Sequence, residues 1–478
     1  MSADFVACTV ASRRYLAQAR VVVDSFFEHH PEGRFAVLIS DDPERERAVD
    51  PRVEELRPTD IGVDEAELHR MALIYSALEL ACALKGRLVR YLVQRGETAV
   101  LLDGDMLVLG DLTPLAVAAR RDGLALTPHS TQINAPPVRY PPMIGWAPRL
   151  RNAFGADQTL VRAGTFNAGL LAVGEGADPF LDWWNDRTAR YCLLEPGRAL
   201  FVDQGWLALV PTLFDCHIER EPGWNVNGYH LADRDVEWDG DGPTVGGEPI
   251  RCFHFITFDP LAPERLSREP HIAAVWPSAA DRPGAARLCR EYAERVLAAG
   301  HEAAQKEVAP FERLADGTPL DPNMRTVYAE ALLRHEAGNG EAPPNPFDDG
   351  DAEGFLRWLD EPWEGQDKGF PAVSRYLVGL HTRLDWVYGS FKDVPGADAE
   401  RYLRWLPEAV ERGDVDLPER WVPPPAPPGP DPALQELEDR YRDLLAALEE
   451  HRSSRSWRVT APLRRAATLA RRRGSGGG

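Results

Sequence analysis

The sequence lacks the features that mark membrane, secreted and disulfide-rich proteins. It has no run of about 20 apolar residues, so a transmembrane helix is not expected. Its N-terminus has no basic segment followed by a long apolar one, so a signal peptide is not expected either. The six cysteines form no Cys-x-x-Cys pair. This spacing argues against a zinc site or a disulfide framework, and it favours free thiols in a reducing cytoplasm.

Basic residues are also in deficit. Lys and Arg number 54 against 75 Asp and Glu, which gives a net charge of -21. Such a molecule repels phosphate backbones, so no nucleic-acid partner is expected. The chain is 478 residues long and 44% hydrophobic. It is therefore large enough for two to three domains of about 150 residues each.

Residues 1–270 alternate between strand and helix patterns. "FVACTVA", "RFAVLIS" and "TAVLLD" are apolar strand segments. The helical segment "YLAQARVVVDSFFEHH" separates the first two, and a long helical pattern from about Glu67 to Gln94 precedes the third. This alternation predicts an α/β domain with a Rossmann-like, mostly parallel mixed sheet. The Pro-rich residues 128–148 interrupt the pattern and predict a long loop of the kind that forms functional lids.

The rest of the chain lacks the alternation of strands and helices and has mainly helical sequence patterns. Residues 300–422 contain amphipathic segments such as "ERYLRWLPEAVERG" and predict a helical accessory domain. Residues 423–432 predict a stiff Pro-rich linker. Residues 433–452 carry a leucine seam that predicts a short coiled coil. This coiled coil pairs with a second copy in a homodimer or packs back on the helical domain.

The tail, residues 453–478, is basic. Its Arg residues and Trp457 fit an amphipathic helix lying on an anionic membrane, with a solvated tail as the alternative. The absence of a signal peptide and of a transmembrane segment leads us to expect a cytoplasmic location. Peripheral contact with the inner face of the plasma membrane would come from this tail.

The segment "TAVLLDGDMLVLG" places two aspartates, Asp103 and Asp105, after an apolar run. Residues two apart in a strand project to the same side, and open α/β sheets bind ligands at the carboxyl ends of their strands. Gly104 leaves room for a ligand to approach the backbone. Adjacent carboxylates repel each other unless a cation lies between them. The pair therefore favours a site for Mn²⁺ or Mg²⁺ that also holds phosphate oxygens, with a surface turn of two solvated aspartates as the alternative.

Three further motifs follow in order along the chain: "GTFNAGLLAV" (164–173), "LFVDQGWLALVP" (200–211) and "PIRCFHFITFDP" (249–260). Together with the Asp-Gly-Asp segment, this order resembles the nucleotide-sugar glycosyltransferases of the GT-A fold, closest to glycosyltransferase family 8, over residues 1–265. The resemblance implies metal-dependent transfer of a sugar from a nucleotide-sugar donor, a UDP-sugar, to a glycan or lipid-linked acceptor, with retention at the sugar. The helical segment and tail bear a weaker resemblance to pieces of actinobacterial cell-envelope glycosyltransferases, which implies a role in cell-surface polysaccharide or glycoconjugate synthesis.

The resemblance also implies a role for each matching residue. The implied metal ligands are Asp103, Asp105 and His254, and Asp103 also touches the ribose. The implied donor contacts are Asn167, Ala168 and Lys85, and the implied catalytic residues near the anomeric carbon are Asp203 and Gln204. The structural alternatives are a turn cap for Asn167, a helix start for Gln204 and a core histidine for His254. For Lys85, a solvated lysine is the favoured interpretation.

Two positions depart from the family's HFxGxxKP segment. Thr257 stands in place of the glycine, and Asp259 stands in place of the lysine that would hold the diphosphate. Either an arginine takes over this role or the segment closes differently. A nearby segment, "PGWNVNGYHLADR", supplies Trp224, Asn225, Asn227 and Tyr229, which line a sugar pocket or form a structural turn.

Two other functions compete with sugar transfer. A sugar nucleotidyltransferase shares the fold, but "TVASRRYLAQA" has no glycine where those enzymes carry a Gly-rich loop. A catalytically degenerate sugar-nucleotide-binding scaffold is the second alternative, and the altered HF segment keeps it open.

Overall fold

The computed structural model describes residues 5–131, 160–161, 163–228, 230–232, 235–240, 242–268, 281–364, 366 and 369–424. The chain divides into two compact units, one of Met1–Glu361 with Gly379–Trp386 and the other of Pro362–Val378 with Val387–Gly478. Most of the predicted lid lies outside the described residues, as do most of the Pro-rich linker, all of the coiled-coil segment and all of the basic tail. The predicted domain boundaries stay predictions.

The strands are β1 Phe5–Ala11, β2 Arg34–Ile39, β3 Glu54–Leu56, β4 Thr98–Leu102, β5 Met106–Val108, β6 Leu124–Pro128, β7 Phe166–Val173, β8 Leu194–Glu195, β9 Leu200–Phe201, β10 His217–Ile218, β11 Val236–Trp238, β12 Pro243–Val245, β13 Glu248–Pro249 and β14 Cys252–His254. The α-helices are α1 Leu16–His29, α2 Glu65–Ile74, α3 Ala77–Gln94, α4 Thr113–Asp122, α5 Asp178–Tyr191, α6 Gln204–Leu207, α7 Val210–Leu213, α8 Pro283–Ala298, α9 His301–Ala304, α10 Pro322–Glu336, α11 Pro346–Asp349, α12 Ala352–Asp360, α13 Arg375–Arg383, α14 Asp385–Ser390 and α15 Ala399–Glu411.

Seven strands form the central sheet of the first unit, in the order β10-β6-β7-β4-β1-β2-β3. All neighbours are parallel except β7, which runs antiparallel to both β4 and β6. Every residue of β1, β4 and β7 is buried, and in β6 only the last residue, Pro128, is partly exposed, as expected for strands covered on both faces. The predicted mostly parallel mixed α/β sheet is therefore confirmed.

The Asp-Gly-Asp segment lies just beyond the central strand β4 rather than within a strand. Asp103 N still continues the sheet by donating to Gly169 O at 2.8 Å, and Met106 N then donates to Asp103 O at 3.2 Å, which closes a turn. The expectation that Asp103 and Asp105 lie within a strand is thus wrong, because they lie in a turn. The turn ends β4 and leads directly into β5, which leaves the central sheet and pairs antiparallel with β14.

The single helix predicted from about Glu67 to Gln94 is two helices, α2 and α3. Tyr75 adopts extended backbone angles and ends α2. Ser76 then begins α3 with a capping box, in which its hydroxyl accepts from Glu79 N while the Glu79 carboxylate accepts from Ser76 N. Helical periodicity runs through both segments, but the cap provides a stable break between them.

The pair β5–β14 is held by a second apolar core. Phe253 and Phe255 lie in it with Tyr292 of α8, and the rings of Phe255 and Tyr292 stack at a centroid distance of 3.8 Å. In the second unit, Tyr376 stacks on Trp421 at 3.8 Å. In the part of the chain that the structure describes, no helix combines the length and the apolarity needed to cross a bilayer.

Candidate functional site

Asp103, Asp105 and His254 meet at the carboxyl end of β4. One ligand atom from each lies within 4.8 Å of the others. His254 Nε2 is 3.0 Å from Asp105 Oδ1 and 3.6 Å from Asp103 Oδ2. The imidazole is buried, whereas both carboxylates are partly exposed. The cluster is therefore open to a ligand from the carboxylate side.

Strand pairing brings these distant positions together. Met106 of β5 is the register partner of His254 in β14. The next residue, Phe255, donates its N–H to Asp105 O at 2.9 Å. The backbone of the Asp-Gly-Asp turn is thereby bonded to the chain that carries the imidazole, and both are fixed by sheet hydrogen bonds.

A chain of hydrogen bonds sets the tautomer of His254. Its Nδ1 lies 3.3 Å from Asn225 Oδ1, and Asn225 Nδ2 donates to Thr127 Oγ1 at 2.9 Å. An amide oxygen only accepts, so Nδ1 carries a proton and Nε2 is the nitrogen that faces the carboxylates. Metal-ligating histidines are commonly oriented in this way through their second nitrogen.

The charge on His254 depends on its neighbours. Burial alone would lower its pKa, but Asp105 and Asp103 outweigh that effect, and the pKa is raised. Without a metal the imidazole is therefore protonated more readily than that of an ordinary histidine. A cation binding at Nε2 would have to displace that proton, which makes its affinity depend on pH.

Glycine is required directly beneath His254. A Cβ on Gly169 would lie 2.5 Å from His254 Cε1 and 2.8 Å from its Nδ1. By contrast, a Cβ on Gly104 would meet no atom of the described chain closer than 3.8 Å. The fold thus needs Gly169 for the approach of the imidazole, while the space at Gly104 is open to a bound molecule, as the sequence predicts.

Lys85 of α3 is a buried member of the cluster, and the interpretation of it as a solvated lysine is wrong. Only 5% of the residue is exposed. Its Nζ is 2.6 Å from Asp103 Oδ1 and 3.2 Å from Asp203 Oδ2. Burial lowers its pKa, but the two aspartates reverse this and raise it well above the usual value, so the side chain stays charged.

Asp203 is the buried partner in this ion pair. Its exposure is 1%, and burial raises its pKa while the Lys85 ammonium opposes that rise. Its backbone carbonyl accepts from Trp184 Nε1 at 3.1 Å. Lys85 therefore ties the Asp-Gly-Asp turn to the Asp-Gln segment, two motifs that the sequence could only place in order along the chain.

The remaining predicted residues form an adjacent group around β7. Gln204 begins α6, and its amide accepts from Ala168 N at 3.4 Å while donating to Ala163 O at 2.8 Å. Asn167 lies inside β7 and not in a turn before it, so the structural alternative of a turn cap is wrong. Its Oδ1 accepts from Gly169 N at 2.7 Å. The functional roles predicted for all eight site residues stay predictions.

Sequence reasoning missed His129, which lies at the centre of this group. Asn167 Nδ2 donates to its Nε2 at 3.0 Å, and its Nδ1 donates to Gly164 O at 2.9 Å. Burial lowers the pKa of His129 to about 4, and nearby His254 adds to that effect. The imidazole is therefore neutral at pH 7. The one sequence signal is its place just after β6, beside the predicted lid.

The segment "PGWNVNG" positions His254 through hydrogen bonds made by its asparagines. Asn225 accepts from His254, and Asn227 Nδ2 donates to Asn225 O at 3.2 Å. Asn225 has a φ of 50°, a left-handed conformation that asparagine tolerates better than most residues. Tyr229 of the same segment lies outside the described residues.

The altered HF segment closes as a loop. Asp259 Oδ1 accepts from Leu261 N at 2.9 Å, so this carboxylate begins a turn. The chain then returns, because Thr257 Oγ1 lies 2.6 Å from Ser267 Oγ, and Arg268 N donates to Thr257 O at 2.9 Å. Thr257 has a φ of 53°, which lies in the left-handed region that favours glycine.

A separate cleft of about 1140 Å³ lies in the first unit. Leu194 and Leu200 of the β8–β9 hairpin line it together with Arg325 of α10. None of the eight predicted site residues lines it, and its arginines equal its acidic residues in number. Its charge therefore indicates neither an anionic nor a cationic occupant.

Neither a family model nor a curated protein matches the sequence. Among solved structures, the galactosyltransferase LgtC in complex with donor and acceptor sugar analogs is 17% identical, over 61% of this chain and 95% of that chain, with a TM-score of 0.34. Mouse xyloside xylosyltransferase 1 in its apo form is 12% identical, over 52% of this chain and 97% of that chain, with a TM-score of 0.31. The apo-form glycosyltransferase GlyE of Streptococcus pneumoniae TIGR4 is 14% identical, over 65% of this chain and 67% of that chain, with a TM-score of 0.34. At these values the likeness assigns neither a family nor an activity, and a functional conclusion has to come from the site.

Proposed function

We propose that the chain is a metal-dependent glycosyltransferase of the GT-A type that moves a sugar from a UDP-sugar to a glycan or glycolipid acceptor with retention. One observation carries the proposal. The carboxylates of Asp103 and Asp105 and the Nε2 of His254 converge at the carboxyl end of the central strand, beside the buried pair of Lys85 and Asp203. Ligands of open α/β sheets bind at this edge.

The donor set fits a divalent ion. Two carboxylate oxygens and one imidazole nitrogen, the latter oriented by Asn225, suit Mn²⁺ and Mg²⁺. A bound ion would relieve the repulsion between the carboxylates and screen the charge that develops on a departing diphosphate.

The residues of the chain supply orientation. Asp103 directs Oδ1 to Lys85 and Oδ2 toward His254, so the lysine holds this carboxylate in the position that the site needs. Gln204 links the segment before β7 to Ala168 through both ends of its amide. We propose that Asp203 and Gln204 lie against the sugar ring, where positive charge develops as the bond to phosphate breaks. The leaving phosphate then takes the proton of the acceptor hydroxyl.

A thermal-shift panel of nucleotide sugars, with and without Mn²⁺, tests the proposal. A ligand that binds the native state raises its apparent stability. We expect a UDP-sugar to raise the unfolding temperature only when Mn²⁺ is present, and Asp105→Ala to abolish that rise. Asp186→Ala, which removes an aspartate that is 70% exposed on α5, serves as the matched control and should retain it.

The stabilising donor would then be assayed for metal-dependent release of UDP. Release that requires Mn²⁺ and is lost in Asp105→Ala supports transfer chemistry. Stabilisation that needs no metal and survives Asp105→Ala would contradict the site assignment.

A further inference from the structure

The backbone that leads into β7 is held on two sides. Gln204 Nε2 donates to Ala163 O at 2.8 Å. Gly164 O accepts from His129 Nδ1 at 2.9 Å, and Thr165 O accepts from His129 N at 3.0 Å. Three successive carbonyls are thereby hydrogen-bonded, two of them to one histidine. This short segment therefore has a fixed position between His129 and Gln204.

The hydrogen bonds of the His129 ring have a definite direction. A carbonyl oxygen only accepts, so Nδ1 carries the proton in the bond to Gly164. Burial lowers the pKa of the imidazole to about 4, so at pH 7 Nε2 is unprotonated and accepts from Asn167 Nδ2 at 3.0 Å. The amide orientation agrees, because Asn167 Oδ1 accepts from the backbone N–H of Gly169 at 2.7 Å. The imidazole and the amide therefore hold each other in one orientation.

The fold encloses this pair of side chains. His129 is 4% exposed and Asn167 is 3% exposed. The backbone of His129 is also fixed, because its carbonyl accepts from His230 Nε2 at 2.7 Å. A buried histidine whose ring nitrogens are both bonded to the protein acts on other groups of the chain rather than on a ligand.

The segment that His129 holds carries both anchors of the Gln204 amide. The Nε2 anchor is Ala163 O, which directly precedes the residue whose carbonyl His129 binds. The Oε1 anchor is Ala168 N at 3.4 Å, and this residue directly follows Asn167. A shift of either anchor would turn the amide that the proposed function places against the sugar ring.

We propose that His129 is a positioning residue of the sugar-transfer site and that it sets the orientation of Gln204 through the backbone between Ala163 and Ala168. This inference rests on the proposed function, because the contact of Gln204 with the sugar is part of that proposal. His129 itself makes no contact with the donor. Its loss should therefore slow sugar transfer without removing a binding group.

Kinetic and binding measurements on the full chain test this role. His129→Phe keeps a planar ring and removes both nitrogens. With the UDP-sugar that stabilises the protein, it should lower kcat for Mn²⁺-dependent release of UDP about tenfold, because a buried hydrogen bond is lost on each side of the ring. Two affinities should stay unchanged, that for Mn²⁺ by water-proton relaxation and that for UDP by calorimetry. Asn225 orients His254 independently of His129, and UDP lacks the transferred sugar.

Two further variants serve as comparisons. His129→Gln carries a donor and an acceptor on one planar amide, so it should recover part of the lost rate. His335 is an exposed histidine of α10 whose Nδ1 also bonds a backbone carbonyl, that of Gly340 at 3.2 Å. His335→Phe is the matched control and should release UDP as fast as the wild type does.

A double-mutant cycle tests the route through Gln204. Gln204→Ala alone should lower kcat, and His129→Phe should have little further effect when Gln204 is already Ala. Additive losses would overturn this route.

Nitrogen-15 NMR of labelled histidine gives a readout that needs no donor. At pH 7 we expect the His129 ring to be neutral with its proton on Nδ1. Its signals are identified by their absence from the spectrum of His129→Gln. A proton on Nε2 would overturn the bond directions on which the inference depends.

The outcomes separate the two proposals. If the wild-type protein releases UDP from no UDP-sugar in the presence of Mn²⁺, the proposed function fails and this inference falls with it. If the wild-type protein releases UDP and His129→Phe does so equally fast, only the role of His129 is overturned. A loss of Mn²⁺ or UDP affinity in His129→Phe that matches its loss of rate would also overturn it, since that indicates a structural effect.

Discussion

At the scale of single residues, Lys85 shows how much a side chain's role depends on residues far along the chain. Its helical position gives no sign of burial, and it is one of few lysines in an arginine-rich sequence. Its partners come from the turn after β4 and from the start of α6, 18 and 118 residues away by position number (85 to 103 and 85 to 203). A local pattern cannot reveal such contacts.

The buried position of Lys85 makes a prediction about stability. Lys85→Met leaves Asp103 and the buried Asp203 without their cation, and removing one partner of a buried ion pair costs about 3–5 kcal/mol. We expect a clear fall in the unfolding temperature measured by calorimetry. The double variant Lys85→Met with Asp203→Asn should recover part of the loss, because the stranded charge is removed.

Lys306→Met changes an exposed lysine in the same way and should leave the unfolding temperature nearly unchanged. Equal effects of the two lysine substitutions would refute the argument that burial and pairing decide the outcome.

Whether a site residue could be predicted depends on whether a sequence motif marks it or only its contacts in the folded chain do. The order of the four motifs was enough to place Asp103, Asp105 and His254 in one predicted site, and the structure brings them together. The roles of Asn225 and His129 as hydrogen-bond partners could not be predicted, because each depends on strands and loops that meet only in the folded chain.

At the scale of elements, apolar runs and helical spacing located most strands and helices of the first unit. Two predicted element boundaries, the break between α2 and α3 and the end of β4, were wrong, each for a physical reason. Ser76 with Glu79 caps α3 inside a continuous helical pattern, and the Asp-Gly-Asp segment turns between two strands instead of extending one. The Ser-x-x-Glu signal was present in the sequence, whereas the turn depends on β5 leaving the central sheet to pair with β14.

The close packing of β7 against His254 leads to a prediction with an internal control. Gly169→Ala would place a methyl group within 2.5 Å of the imidazole, so the ring must move. We expect a lower unfolding temperature and weaker Mn²⁺ binding by relaxation measurements. Gly104→Ala meets nothing closer than 3.8 Å, so stability and Mn²⁺ affinity should be nearly unchanged, while the affinity for the Mn²⁺-dependent nucleotide falls.

If Gly104→Ala binds the nucleotide as tightly as the wild type, no ligand occupies the space beside this glycine. If Gly169→Ala retains full Mn²⁺ affinity, the position of the His254 ring is not what limits metal binding.

At the scale of the whole molecule, charge is distributed unevenly. The net charge is -21, yet residues 453–478 are basic. A protein of this net charge is repelled by an anionic membrane, so any attachment has to come from a local basic segment. The proposed location on the inner face of the plasma membrane therefore depends on the tail.

Vesicle sedimentation measures this dependence. We expect the full chain to sediment with vesicles rich in phosphatidylserine and not with phosphatidylcholine vesicles, and added salt should release it. Replacing Arg458, Arg465 and Arg472 with Gln should abolish the binding without changing the unfolding temperature. Binding that persists in this variant would place the membrane contact outside these three arginines.

The pairing of β5 with β14 also has a consequence for synthesis. The two carboxylates leave the ribosome about 150 residues before the imidazole, as the position numbers 105 and 254 show. A nascent chain halted before Cys252 would carry an acidic turn with no third ligand and no partner strand to hold it. Binding of an ion at the proposed metal site would thus become possible only late in translation, after every strand of the central sheet has emerged.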